Sequence, residues 1–175
     1  MVDIRRVDTS FTHRLVGLWA ATFEDAYKDL HSAENLRAYC DANYTKAAAR
    51  EVLADPDSVC RVAFRDRQPA GFHVVKHHNC PIPLDGGSSE LKQIYVLAGE
   101  YGTGLGRLLF ADVLRCTRQA GNSWVWLCVS DLNERAQGFY RKLTFQRLGV
   151  GPDIAVGSDR LTSTIMGRRI YCQEA

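Results

Sequence analysis

Several things are missing from this 175-residue chain, and each absence closes a class of function. There is no C-x-x-C pair among the six cysteines (Cys40, Cys60, Cys80, Cys116, Cys128, Cys172), so neither a zinc ribbon nor a dithiol redox centre is expected. The opening "MVDIRRVDTS" lacks the apolar core of a signal peptide, so a cytoplasmic protein with reduced thiols is expected. No apolar run approaches the roughly 18 residues that span a bilayer. Charge of one sign is also missing: 22 basic residues face 20 acidic ones, too even a balance to steer the chain to nucleic acid or to a membrane surface. His73, His77 and His78 have no cysteine or acidic residue following at zinc spacing, and no metal is expected.

What is present reads as one globular domain over residues 1–175, with 46% hydrophobic and 24% charged residues. "VDIRRV" predicts a first strand. A long helix follows over "DTSFTHRLVGLWAATFEDAYKDL", where Leu15, Leu18, Trp19, Phe23, Ala26 and Tyr27 recur at helical spacing. Ser32 and Thr45 are candidate N-caps of two further helices, the second ended near Pro56. "SVCRVAFRDRQPAGFHVVKHH" predicts two strands joined by a turn from Asp66 to Pro69, and "NCPIPLDGGSS" a loop. "ELKQIYVLAG" predicts a strand with Leu91, Gln93, Tyr95 and Leu97 on one face and Glu90, Lys92, Ile94 and Val96 on the other. A helix to about Ala120, a buried strand "SWVWLCVS", a helix "NERAQGFYRKL" and two closing strands, "FQRLGV" and "LTSTIMGRRI", complete a mixed α/β pattern.

The chemistry concentrates in "YGTGLGRLLFADVL". Gly102, Gly104 and Gly106 stand between a strand and a helix, where bare backbone amides and the positive helix end suit a pyrophosphate. The spacing is not that of a dinucleotide fingerprint, since Arg107 stands three residues after Gly104, and no G-K-[ST] triplet exists for a P-loop. An ordinary strand-to-helix turn is the alternative. Thirty residues on, Asn133, Ala136 and Tyr140 share one helix face, so an amide and a phenol can meet one ligand. The alternative there is a helix cap and two core aromatics, Phe139 and Tyr140.

These stretches resemble the GNAT family of N-acetyltransferases, most clearly from Glu90 to Phe145. "IYVLAGEYGTGLGRLL" looks like the family's strand and pyrophosphate loop, and "N-x-x-A-x-x-F-Y-x-x-x-x-F" like its second coenzyme A segment. "TFEDAY", "LRAY" and "DRLTSTIMGRRI" are similar to a subgroup that includes the spermine/spermidine N-acetyltransferases. The resemblance implies an α/β fold with a mixed, mostly antiparallel central sheet flanked by helices, and acetyl-CoA as cosubstrate with no metal. It implies backbone pairing of Ile94, Tyr95 and Val96 with the pantetheine arm, and Gly102, Thr103, Gly104, Leu105, Gly106 and Arg107 around the pyrophosphate. Asn133 would bond the cosubstrate and Tyr140 would sit by its sulfur. Two departures stand out: Tyr101 replaces the family's usual Gln or Arg, and Leu143 and Thr144 replace a glycine before the phenylalanine.

Amine acetylation needs a base for the ammonium and an acid for the departing thiolate. Tyr140 is the candidate acid. Glu90 is the candidate base, placed by the strand alternation with Ile94 and Val96; relatives with a glutamate five residues before the asparagine are not matched, since Cys128 stands there. Ordered water is the alternative base. Glu24, Asp25, Asp29 and Glu34 form a candidate acidic rim for a cationic acceptor. The expected partner is a small-molecule or peptide amine, with room for a homodimer. The competing function is a noncatalytic CoA-binding sensor of the same fold.

Overall fold

The computed structural model describes residues 1–171. Cys172 lies outside the described residues; the other five cysteines are free thiols. Strand β1 (Val2–Arg6) leads through a 310 turn at Thr9–Phe11 into α1 (Thr12–Tyr27), a shorter helix than the pattern suggested. The cause is local: the Asp8 carboxylate accepts from the Ser10 amide at 2.9 Å and closes a separate turn first. Helices α2 (Ala33–Asn43) and α3 (Lys46–Ala54) start at the expected caps. Ser32 Oγ accepts from Asn35 N at 3.2 Å and Thr45 Oγ1 from Ala48 N at 3.1 Å. Asp55, before Pro56, is extended (ψ 119°) and stops α3.

Strands β2 (Ser58–Arg65) and β3 (Gln68–Lys76) form a hairpin whose turn is only Asp66 and Arg67, at φ 50° and 65°. The turn expected to reach Pro69 is therefore too long, because Gln68 and Pro69 already pair with Arg65 and Phe64. The chain continues through β4 (Ser88–Val96), α4 (Leu105–Gln119), β5 (Trp124–Ser130), α5 (Glu134–Lys142) and β6 (Gln146–Val150). A small hairpin of β7 (Ile154–Val156) and β8 (Asp159–Leu161) precedes β9 (Ser163–Arg169). The expected single strand from Leu161 is thus two elements. Gly157, at φ 58°, turns the hairpin that hydrophobic alternation did not reveal.

Seven strands form one sheet in the order β1-β2-β3-β4-β5-β9-β6, with β4 and β5 parallel and every other pair antiparallel. The mixed, mostly antiparallel sheet flanked by helices holds as expected. Helices α1 to α3 cover one face, where Leu15, Trp19, Phe23 and Leu36 pack on Val62, Phe72 and Val74. Helices α4 and α5 cover the other, where Phe110 and Val113 pack on Val75, Leu91, Val125 and Leu127. Each such side chain, fully buried, contributes roughly 1.5–3 kcal/mol, so the sheet is fixed from both sides. No helix of the described residues is long and apolar enough to cross a membrane.

One irregularity in β4 reverses an expectation. Leu91 pairs with Val75 and Gln93 with Val74, so Lys92 is an extra residue with no partner on β3. Beyond that bulge the faces exchange. Leu91 packs with Ile94 toward α4, while Glu90 opposes Lys76 and shares the other face with Gln93 and Tyr95. Glu90 therefore does not lie with Ile94 and Val96, because strict alternation assumed an unbroken strand.

Strand β3 and helix α4 also bring together a buried polar group that sequence spacing hides. His73 Nε2 lies 2.7 Å from Asp112 Oδ2, Cys116 donates to the same oxygen at 3.8 Å, and Arg61 and Arg115 both pair with Asp112. Among the described residues this His–Asp–Cys trio is a cluster of metal-ligand donor atoms, but two guanidinium groups on its carboxylate compete with any cation. Burial alone would raise the Asp112 carboxyl, yet His73, Arg115 and Arg61 together hold it below its ordinary value. Burial pushes the His73 imidazole down against the pull of Asp112, and its partnerless Nδ1 fits a neutral ring with the proton on Nε2. The unfolded ring then takes up a proton below about pH 6.5 that the folded ring refuses, so stability falls as pH falls through that window. Denaturant unfolding between pH 7 and 5 should show this, with His73 adding up to about 1.4 kcal/mol per pH unit to the slope and His73→Gln losing that increment. An identical slope in the variant would show that His73 takes up its proton alike in the folded and unfolded chain.

Candidate active site

The one parallel pair in the large sheet is also its weakest seam. Strands β4 and β5 pair only across Ser88–Glu90 and Trp124–Trp126. The Lys92 bulge twists β4 just beyond that patch, and the rest of β4 has its β5-facing edge unpaired. Such an edge presents backbone amides and carbonyls at strand spacing, ready for an extended ligand.

Two cavities meet at this opening. The larger, about 560 Å³, is lined by β4 from Glu90 to Tyr95, by Cys128, Val129 and Ser130 at the end of β5, and by Asn133, Ala136 and Tyr140. The smaller, about 160 Å³, is lined by Val96, Tyr101, Gly106, Arg135 and Phe139, and shares Ile94, Tyr95, Asn133, Ala136 and Tyr140 with the first. Tyr140 stands where the two join. Burial pushes its phenol above the ordinary value of about 10, so it keeps its proton throughout the neutral range. The buried Tyr95 phenol is pushed up for the same reason, with Tyr27 and Tyr44 adding to the effect.

The glycine turn runs from a 310 turn at Ala98–Glu100 into α4. Gly102 and Gly104 take φ 80° and 88°, a left-handed conformation that side chains rarely adopt. A Cβ on either would meet nothing within 4 Å, so open space lies in front of the turn. The turn's internal bonds use the amides of Thr103, Leu105, Arg107 and Leu108, which leaves those of Gly102, Gly104 and Gly106 for a ligand. Leu105 sends its side chain into the core while its amide donates to Thr103 Oγ1 at 3.4 Å. The turn is anchored at its start by Glu100, which accepts from Arg65 Nε and Nη2 at 2.8 and 2.9 Å and from Thr103 Oγ1 at 3.0 Å. Neither Arg65 nor Glu100 carried a sequence signal. Tyr101, the departure from the family pattern, has the Arg135 guanidinium 3.6 Å from its ring centroid.

Asn133 is both cap and lining residue. Its Oδ1 accepts from Ala136 N at 3.0 Å at the start of α5, so the amide nitrogen is the atom left for a ligand. Glu90 is 7% exposed, with Oε2 2.6 Å from His78 Nε2 and Oε1 3.3 Å from Lys92 Nζ. Cys128 faces the same cavity, and burial followed by the charge of Glu90 raises its thiol.

The opposite wall was missed. Trp19, Phe23 and Tyr27 at four-residue spacing on α1, with Tyr39 and Tyr44, line the large cavity as well as the core. Their periodicity alone cannot separate those two roles, although a stripe wholly of aromatics is the signal that was there to read. None of Glu24, Asp25, Asp29 and Glu34 lines the cavity; Asp25 instead accepts from Ala98 N at 3.1 Å. The carboxylates that do line it are Glu51, Asp55 and Glu90, beside Lys76 and Lys92. The expected rim was drawn from helix positions that point elsewhere.

The profile of the acetyltransferase (GNAT) family matches residues 15–145. The chain belongs to this family. It is 33% identical over 132 residues, 75% of this chain and 81% of the relative, to a Mycobacterium bovis protein named as an uncharacterized N-acetyltransferase. It is 36% identical over 94 residues, 52% of this chain but 28% of the relative, to the mycothiol acetyltransferase of Nocardiopsis dassonvillei. Its fold matches that of the PaiA N-acetyltransferase of Thermoplasma acidophilum, determined in complex with coenzyme A, at a TM-score of 0.76 with 18% identity over 97% of this chain and 99% of that one.

Within this GNAT chain the glycines divide by backbone conformation. Gly104→Ala should cost about 1–2 kcal/mol, the penalty of a left-handed L-residue. Gly106→Ala, on helical backbone with its Cβ at an ordinary 3.6 Å from the Phe139 ring, should stay within about 0.5 kcal/mol of wild type. Urea unfolding of both checks this, and equal losses would show that φ at Gly104 is not what the turn requires.

Proposed function

We propose that the protein transfers the acetyl group of acetyl-CoA to a primary amine, of a polyamine or other small amine or of a peptide, by direct attack in a ternary complex. The whole chain then serves as one transferase domain. The observation that carries this reading is the position of Tyr140 at the junction of two cavities, one beside the glycine turn and one walled by Glu90 and the aromatic stripe. A cosubstrate laid along the smaller cavity would bring its thioester to that junction, facing an amine in the larger one.

In this reading Gly102 through Arg107 surround the pyrophosphate, with amides and the α4 N-terminus as donors. Arg135, stacked on Tyr101, supplies the cation that Tyr101 itself lacks. Ile94, Tyr95 and Val96 pair through the open β4 edge with the pantetheine amides, and the Asn133 amide nitrogen donates to the arm. Glu90 takes a proton from the ammonium, directly or through water, and the free amine forms a C–N bond to the thioester carbonyl. A backbone N–H near Val96 donates to the oxygen as it becomes negative, a contribution that reaches several kcal/mol in such sites. Collapse breaks the C–S bond and leaves a thiolate that Tyr140 meets with its O–H. Burial makes the phenol a weaker acid than the departing thiol, so its work is the hydrogen bond it donates to the thiolate sulfur, and the proton that the nitrogen sheds as the adduct collapses is the one that neutralises the thiolate, relayed through the Tyr140 hydroxyl or released to water. Three carboxylates against two lysines in the cavity favour a cationic acceptor over an anionic one.

Tyr140→Phe keeps the ring and removes only the donor, so kcat should fall roughly 10- to 1,000-fold while acetyl-CoA affinity changes little. Wild type should show no decline of kcat through Tyr140 ionisation below pH 10, since the phenol is raised, not lowered. Thiol release over a panel of amines measures both. Near-normal kcat in the variant, with chemistry rate-limiting, would return Tyr140 to a packing role.

A further inference from the structure

The cavity base has a partner that neither the strand pattern nor the family resemblance singles out. Glu90 is 7% exposed, and a carboxylate so placed needs its charge compensated. His78 Nε2 lies 2.6 Å from its Oε2, and Lys92 Nζ lies 3.3 Å from the other oxygen. His78 is outside the strands, yet its backbone is fixed. Its carbonyl accepts from Trp126 Nε1 at 3.3 Å and from Ser88 Oγ at 3.2 Å, while the preceding amide of His77 donates to Asp57 O at 2.8 Å. The Trp126 ring meets the imidazole edge-on with centroids 5.1 Å apart. An unconstrained surface histidine needs none of this. The loop of His78, the first paired residues of β4 and the opposing residue of β5 together hold one imidazole against one carboxylate.

We infer that His78 is a positioning residue for Glu90: its Nε2–H donates to Oε2 and fixes the carboxylate's orientation toward the cavity. This rests on the acetyltransferase reading above, in which Glu90 receives the ammonium proton. His78 itself does not line the cavity, so it acts through Glu90 and not on the amine. The other groups around Glu90 have distinct parts. Lys92 holds Oε1, Lys76 opposes Glu90 across the strand pair, and the Cys80 and Cys128 thiols, raised by burial, stay neutral. The His78 side chain is 41% exposed and that of Glu90 10%, so the pair links the cavity wall to bulk water.

The test is a double-mutant cycle on the full chain, read by thiol release with an amine that wild type acetylates. His78→Ala should lower kcat about 10-fold with KM for acetyl-CoA unchanged. His78→Gln, whose amide can donate from nearly the same place, should recover most of the rate. In a Glu90→Gln background, His78→Ala should have no further effect. A His78→Ala enzyme with wild-type kcat overturns the positioning role while leaving the acetyltransferase reading intact. So does an equal loss from His78→Ala with and without Glu90. Wild type that binds acetyl-CoA and turns over no amine removes the reading and the role together.

Discussion

The separation of β4 from β5 is the constraint on which the rest of the molecule depends. A sheet buried on both faces ordinarily pairs its central strands along their length, because unpaired buried amides are costly. Here three residues of each strand pair and the rest of β4 is turned away by one inserted residue, Lys92. The cost of opening the sheet is met by packing on both faces, α1 to α3 on one and α4 and α5 on the other. The exposed strand edge then has hydrogen-bonding groups free for an extended ligand that displaces water from the cavity.

The same insertion sets the chemistry. By exchanging the faces of β4 it puts Glu90 in the large cavity and Ile94 on the side of α4. Helix α5, entered through the Asn133 cap, places Tyr140 across the opening from the strand that carries Glu90. The proposed base and the proposed acid thus come from separate elements on either side of one gap, an arrangement suited to acyl transfer to an amine. The glycine turn, the proposed pyrophosphate site, lies at the far end, its conformation held by the Arg65–Glu100 pair from the end of β2.

What could be read from the residues was local, and what could not was tertiary. Ser32, Thr45 and Pro56 mark helix ends because capping and proline sterics act within a few residues. The glycines of the turn and the Asn133–Ala136–Tyr140 face are legible for the same reason. The bulge at Lys92 is not, since a lysine in an alternating strand looks like any solvent-facing position until its pairing on β3 is known. His73 and Asp112 are 39 residues apart and meet only because α4 crosses β3, while His78 and Glu90 meet through a loop with no periodicity. The β7–β8 hairpin, three residues a strand, is too short for alternation to show.

The central claim is that the open edge of β4 and the glycine turn together hold acetyl-CoA. Backbone amide NMR during titration with coenzyme A tests it most directly, because every element reports separately. The account predicts that shifts and slowed hydrogen exchange concentrate at Ile94, Tyr95 and Val96 and from Gly102 to Arg107, with β1 and β2 unmoved. Saturable binding that leaves those amides unchanged, with the shifts elsewhere on the molecule, would contradict it.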